Sequence, residues 1–157
     1  MTKAGGVAPV PACPAVTAPL PPNEMNPQPS VHLTGPDAIR DHLTAAISPL
    51  ERAMRTVRFV LCDATNRVML HCPVHGEGPP RTEEQCAHVV SLFASTVAHA
   101  DAALVVAVTR PGPDTVTEWE RLWFRAAHTA CAEHGVRLLG VHLLTPTGQR
   151  EVHHDDV

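Results

Sequence analysis

From Val31 onward the apolar positions recur with two periods, and these divide the chain into elements. Ile39, Leu43 and Ile47 repeat at four-residue spacing, which predicts a short helix. Thr34, Pro36 and Asp37 supply its start, and Pro49 is expected to end it. From Val57 the period changes to two: Val57, Phe59 and Leu61 alternate with Arg58, Val60 and Cys62, as in a strand. Asp63-Ala-Thr-Asn66 reads as a turn, Arg67 to Cys72 as the returning strand of a hairpin, and Pro73 to Pro80 as a loop. Thr82 and Gln85 form a capping box ahead of Cys86, Val89, Val90, Phe93 and Val97 at helical spacing. Residues Ala102 to Val108 are apolar without a break, the pattern of a strand buried on both faces.

After Arg110-Pro-Gly-Pro-Asp114, Asp114 is expected to cap a third helix, on which Trp119, Leu122, Trp123, Ala126, Ala127 and Ala130 make a broad apolar face. Gly135 is placed to stop that helix. Strands follow at Val136–Leu144 and Gln149–Val152, and residues 153–157 read as a polar, frayed tail. The expected order is therefore α-β-β-α-β-α-β-β. Strand pairs joined by crossover helices point to an α/β fold, a three-layer domain with a mixed central sheet over residues 31–152.

Composition changes the picture at the N-terminus. Residues 1–30 hold eight of the sixteen prolines and almost no apolar periodicity, so they read as a disordered proline-rich tail. The core must be aliphatic, because the chain has no Tyr, three Phe and two Trp. A formal net charge of −4 disfavours nucleic-acid binding through bulk positive charge. There is no apolar run of the roughly 18 residues that a membrane helix needs, and no secretory signal pattern. Five scattered cysteines, Cys13, Cys62, Cys72, Cys86 and Cys131, then read as reduced thiols of a cytoplasmic protein.

Three stretches carry a family resemblance. They are Val31-His-Leu-Thr-Gly-Pro-Asp-Ala-Ile, Arg58-Phe-Val-Leu-Cys-Asp-Ala-Thr-Asn-Arg-Val-Met-Leu, and Ala102-Ala-Leu-Val-Val-Ala with its following proline loop and Asp114. With the element order, they resemble the JAB/MPN metalloprotease-like fold, which is related to cytidine-deaminase-like architecture, and within it the RadC-like branch. The resemblance implies a zinc site with the signature H-x-H, seven residues, S-x-x-D, and an upstream glutamate that activates zinc-bound water. Counted along this chain, the histidine positions are Val108 and Arg110, the serine position is Glu118, and the aspartate position is Arg121. Valine offers no donor and arginine is a permanent cation, so a metal of this kind has no ligands here.

The resemblance therefore implies a catalytically inactive RadC/JAB-like domain without cofactor or catalytic residues. It would act as a binding module toward protein or a small anionic ligand. Arg110 and Arg121, beside Val108 and Glu118, are candidates to hold an anion in the vacated pocket. The plainer reading is salt bridging with Glu118, Glu120 and Asp114. A metal-dependent hydrolase with a relocated site is the alternative, drawing on Cys72, His75, Cys86 and His88, with His71 adjacent. Cys86, however, lies on the apolar face of its helix. A nucleic-acid-associated role rests on fold analogy alone. A Cys/His nucleophile built from Cys62 or Cys131 with His128, His134 or His142 is set against ordinary core thiols and surface imidazoles. Trp119 and Trp123, four residues apart on an apolar face, are expected in the core.

Overall fold

A computed structural model describes residues 30–75 and 82–157; the proline-rich tail expected over 1–30 lies, apart from its last residue, outside the described residues. In chain order the elements are α1 (Pro36–Ala46), α2 (Pro49–Arg52), β1 (Thr56–Cys62), β2 (Val68–Val74), α3 (Glu83–Val97), β3 (Ala103–Thr109), α4 (Glu118–His134), β4 (Arg137–Thr145) and β5 (Gly148–Val152). Single 3₁₀ turns occupy Ala98–Ala100 and His154–Asp156. The five strands form one mixed sheet in the order β2-β1-β3-β4-β5, so the fold is α/β. β1 is antiparallel to both neighbours, β3 and β4 are parallel, and β5 returns antiparallel to β4. No described helix is long and apolar enough to cross a membrane.

Two cores flank the sheet, and the period-two pattern sorts side chains between them. Val57, Phe59 and Leu61 of β1 join Leu104, Val106 and Val108 of β3 under α3 and α4. Val60 and Cys62 join Ala103, Val105 and Ala107 under α1, where Leu33, Ile39, Leu43 and Ile47 pack. The uninterrupted run in β3 follows from this, since the strand has a core on each side. The few aromatics cluster in the α3/α4 layer. Phe59 stacks on Phe93 at 4.3 Å and meets Trp123 edge-on at 6.2 Å, and Trp119 meets Trp123 edge-on at 5.8 Å.

The hairpin turn is built by one carboxylate. Asp63 accepts from the backbone N–H groups of Thr65 and Arg67, from the Thr65 hydroxyl and from Arg67 Nε. Asn66 takes the left-handed conformation that closes the turn. Arg137, entering β4, donates to Asn66 Oδ1 at 2.7 Å and so ties this turn to the far half of the sheet.

Several sequence expectations are corrected. Pro49 does not only end α1: Ser48 Oγ accepts from Glu51 N–H and Pro49 opens a further helical turn, α2, so the element order carries one more helix. Pro73 is not loop; it lies in β2 opposite Arg58, which an edge strand tolerates because one row of its N–H groups faces outward. The N-cap of α4 is Thr117 and not Asp114. Residues 153–157 are polar and mostly exposed as expected, and they are tied back to the sheet by Asp156, which accepts from Arg150 Nη2 at 2.8 Å and from His153 N–H at 2.9 Å.

Candidate functional site

Ligand crevices in open α/β sheets form beyond the carboxyl ends of strands. Here that position lies beyond β3 and β4, where the loop from Arg110 to Val116 leads into α4. Arg110 anchors the loop from inside. Its Nε donates to Glu120 Oε1 at 2.5 Å and its Nη2 reaches Glu120 Oε2 at 3.5 Å. Its remaining N–H groups go to the carbonyls of Pro111 (3.2 Å), Pro113 (3.0 Å) and Thr115 (2.5 Å). A guanidinium has five N–H bonds, and all five are used within the protein.

Glu120 is fully buried. Besides Arg110 it accepts from the backbone N–H of Thr117 at 2.6 Å and from the Thr117 hydroxyl at 2.7 Å. A buried ion pair survives only when its leftover donors and lone pairs are met, and this one meets that condition. The arrangement folds the loop back over the strand end and fixes the first turn of α4.

The four residues expected to share a pocket do not line one, although Glu118 and Arg121 meet at 3.8 Å as the salt-bridge reading expected. Val108 packs in the core under α3 and α4. Arg110 is saturated, with no donor left for an outside anion. Glu118 and Arg121 lie on the outer side of α4: Glu118 pairs with Arg125 at 2.8 Å, and Arg121 Nε donates to the Asp156 carbonyl at 2.7 Å. Glu120 was among the salt-bridge partners weighed from the sequence, but its burial and its place opposite Arg110 were not. Its signal was the Thr117-x-x-Glu120 capping box, which also places the helix start three residues later than expected.

The Cys/His set is not assembled either. Cys86 is buried and Cys72 packs against the same core, whereas His75 and His88 are exposed. Among the described residues no group of three or more His, Cys, Asp or Glu is arranged to hold a metal. Burial pushes the thiols of Cys62, Cys86 and Cys131 up to about 11, away from the thiolate a nucleophile needs. His128 meets Phe124 and His154 with its ring tilted against both, at 4.3 and 4.9 Å between centroids. Trp119 and Trp123 are buried as expected, and their indole N–H groups have no hydrogen-bond partner.

Two histidine arrangements were not anticipated. His142 on β4 is 3% exposed, and its Nε2 has no partner. It lines a cleft of about 160 Å³ with Asp37 and Arg40 of α1 and Gln149 and Glu151 of β5. Gly140 makes room for it: a Cβ there would sit 2.9 Å from His142 Nε2 and 3.2 Å from Glu151 Oε1. Desolvation, then the charge of His153, lowers the His142 imidazole from 6.5 to about 4. On the same side of the sheet, His42 of α1 and His71 of β2 bring their Nε2 atoms to 2.9 Å.

No family model, curated protein or solved structure matches this chain. The function therefore has to be read from the arrangement of its own residues.

Proposed function

We propose that the chain is a RadC-like domain of the JAB/MPN type in which an arginine has replaced the hydrolytic metal, and that it works by binding protein. The observation that carries this reading is the buried Arg110–Glu120 pair. With the loop one residue shorter than in the family signature, the chain reads Val108-x-Arg110, six residues, Thr117-x-x-Glu120. Thr117 then takes the serine position and Glu120 the acidic-ligand position, in place of Glu118 and Arg121. A cation still stands opposite the acid, but it is covalently part of the chain and cannot polarise a water or a carbonyl as an open-sided zinc ion does.

Binding of protein is supported by the edge strand β2, where Met69 and Leu70 are 63% and 54% exposed and where, among the described residues, no further strand pairs beyond the contact of Val31 with Val68 at its start. An extended segment can add to such an edge through main-chain hydrogen bonds, with the side chains setting specificity.

The test restores the metal ligands. The double variant Val108→His/Arg110→His, checked for native circular dichroism, is expected to take up one zinc ion, and Glu120→Gln in that background is expected to release it. The parent protein is expected to take up none at this place. A folded double variant that binds no zinc, or binds it equally without the Glu120 carboxylate, would refute the reading.

A further inference from the structure

The cleft between the first turn of α1 and strands β4 and β5 holds two polar groups that the protein itself leaves unused. One is the buried imidazole of His142, whose Nε2 has no hydrogen-bond partner. The other is Glu151, which stands directly opposite His142 in the β4–β5 register, so both side chains project to the face covered by α1. Among the described residues the Glu151 carboxylate has no hydrogen bond and no ion pair. The other charges of the cleft are matched: Arg40 pairs with Asp37 at 3.0 Å, and Arg150 pairs with Asp156 at 2.8 Å. The Gln149 amide is engaged as well, accepting from Thr44 Oγ1 and donating to the Arg40 carbonyl. The charge left over is therefore negative.

Gly140 gives the two unused groups a common space. A Cβ there would lie 2.9 Å from His142 Nε2 and 3.2 Å from Glu151 Oε1, so the missing side chain leaves a notch that both atoms border. The cleft volume of about 160 Å³ is close to that of a cavity of about 150 Å³ that takes up benzene, which sets the size of a fitting group.

We propose that this cleft binds a guanidinium group, which donates two N–H bonds to the Glu151 carboxylate and a third to His142 Nε2. The planar fork of a guanidinium matches a carboxylate with two parallel bonds and has donors to spare. It is also more weakly hydrated than an ammonium, so entering a half-enclosed cleft costs it less. His142 can accept because burial keeps its imidazole neutral near pH 7, with the ring proton on Nδ1. In the empty cleft Nε2 is shielded; the half-buried Glu151 side chain turns toward the incoming cation and uncovers it. The cleft lies beside β5, the edge of the sheet opposite β2, so this proposal does not rest on the function proposed above. The same chemistry comes from two sources, a free guanidino compound and the arginine side chain of a polypeptide, and the test separates them.

The experiment titrates methylguanidinium into the full chain, recording heat and the imidazole ¹⁵N resonances of His142. One saturable site is expected, with a shift of the Nε2 resonance. Methylurea, of similar shape without the charge, should bind at least about tenfold more weakly, and Glu151→Gln should weaken methylguanidinium by at least about tenfold, the worth of one charge-assisted hydrogen bond. His142→Leu, checked for a native unfolding midpoint at pH 7, should weaken it as well. N-acetylarginine methylamide bound as tightly as methylguanidinium assigns the site to a polypeptide arginine; its exclusion while methylguanidinium is held assigns it to a free molecule. The proposal is overturned by the absence of saturable binding, by equal affinity for methylurea, or by an affinity unchanged in folded Glu151→Gln. It is equally overturned by a Nε2 resonance that reports bound water only and ignores the ligand.

Discussion

His142 makes the stability of this fold depend on pH in a way that can be calculated. Its imidazole is held neutral in the native state, with a proton affinity lowered from 6.5 to about 4. The unfolded chain has the ordinary value. At pH 7 the native imidazole is neutral and the unfolded one mostly so, and His142 contributes little pH dependence. Below pH 6.5 the unfolded state takes up a proton that the native state refuses, so the unfolded state gains and stability falls. The loss develops from about pH 6.5 and levels off below about pH 4, and at pH 4 it amounts to about 3 kcal/mol. Facing His142 are Asp37, Arg40 and Glu151 of the cleft, and Arg40 is already paired with Asp37. The charged neighbour that acts on the imidazole is His153, and it works in the same direction as burial.

The assay is urea unfolding at half-unit steps from pH 7.5 to 4, comparing the parent protein with His142→Leu. The variant removes the titrating group and an unpaired buried nitrogen. It is expected to match or exceed the parent below pH 6 and to lack this part of the acid loss. The difference between the two curves should grow to about 3 kcal/mol at pH 4. His42, His71 and His128 are lowered as well, and their share cancels in that comparison. Parallel curves would show that the imidazole is not desolvated, and the reasoning would fail.

Removing one member of the buried Arg110–Glu120 pair, as in Arg110→Ala or Glu120→Ala, leaves an unpaired charge in the protein and should cost about 3–5 kcal/mol in denaturant unfolding. The double change Arg110→Met/Glu120→Leu should cost less than the two single losses combined, and equal or greater loss would deny that the two are coupled. Gly140→Ala should cost about 1–3 kcal/mol, because φ is 154° there and the added methyl meets His142 and Glu151. Gly35→Ala, where the backbone is extended and the space is open, should change the unfolding midpoint little. Thiol reagents should label Cys62, Cys86 and Cys131 slowly in the native protein and rapidly in denaturant; fast native labelling of all three would contradict their burial.

Local periodicity determined much of this fold. The alternation in β1, the unbroken apolar run of β3 and the helical stripes of α1, α3 and α4 are each visible in short windows, because side-chain direction repeats within one element. Asp63 and Asn66 marked the hairpin turn, and Thr82 with Gln85 marked the start of α3, for the same reason. Pro73 misled because a proline ends most strands, and only the sheet order shows that β2 is an edge.

The chemistry was decided elsewhere. A count along the sequence grouped Arg110 with Val108, Glu118 and Arg121 at one pocket and left Glu118, Glu120 and Asp114 open as salt-bridge partners; the path of the loop selects Glu120. The helix starts at Thr117, so Glu120 turns inward, and Glu118 and Arg121 turn toward solvent. The burial of His142 and the meeting of His42 with His71 likewise depend on how α1 lies across the sheet. Residue order fixes which elements form, because their hydrogen bonds and periods are local. Which ionisable groups lose their water or find a partner depends on contacts between elements, and no single window of the chain contains both sides of such a contact.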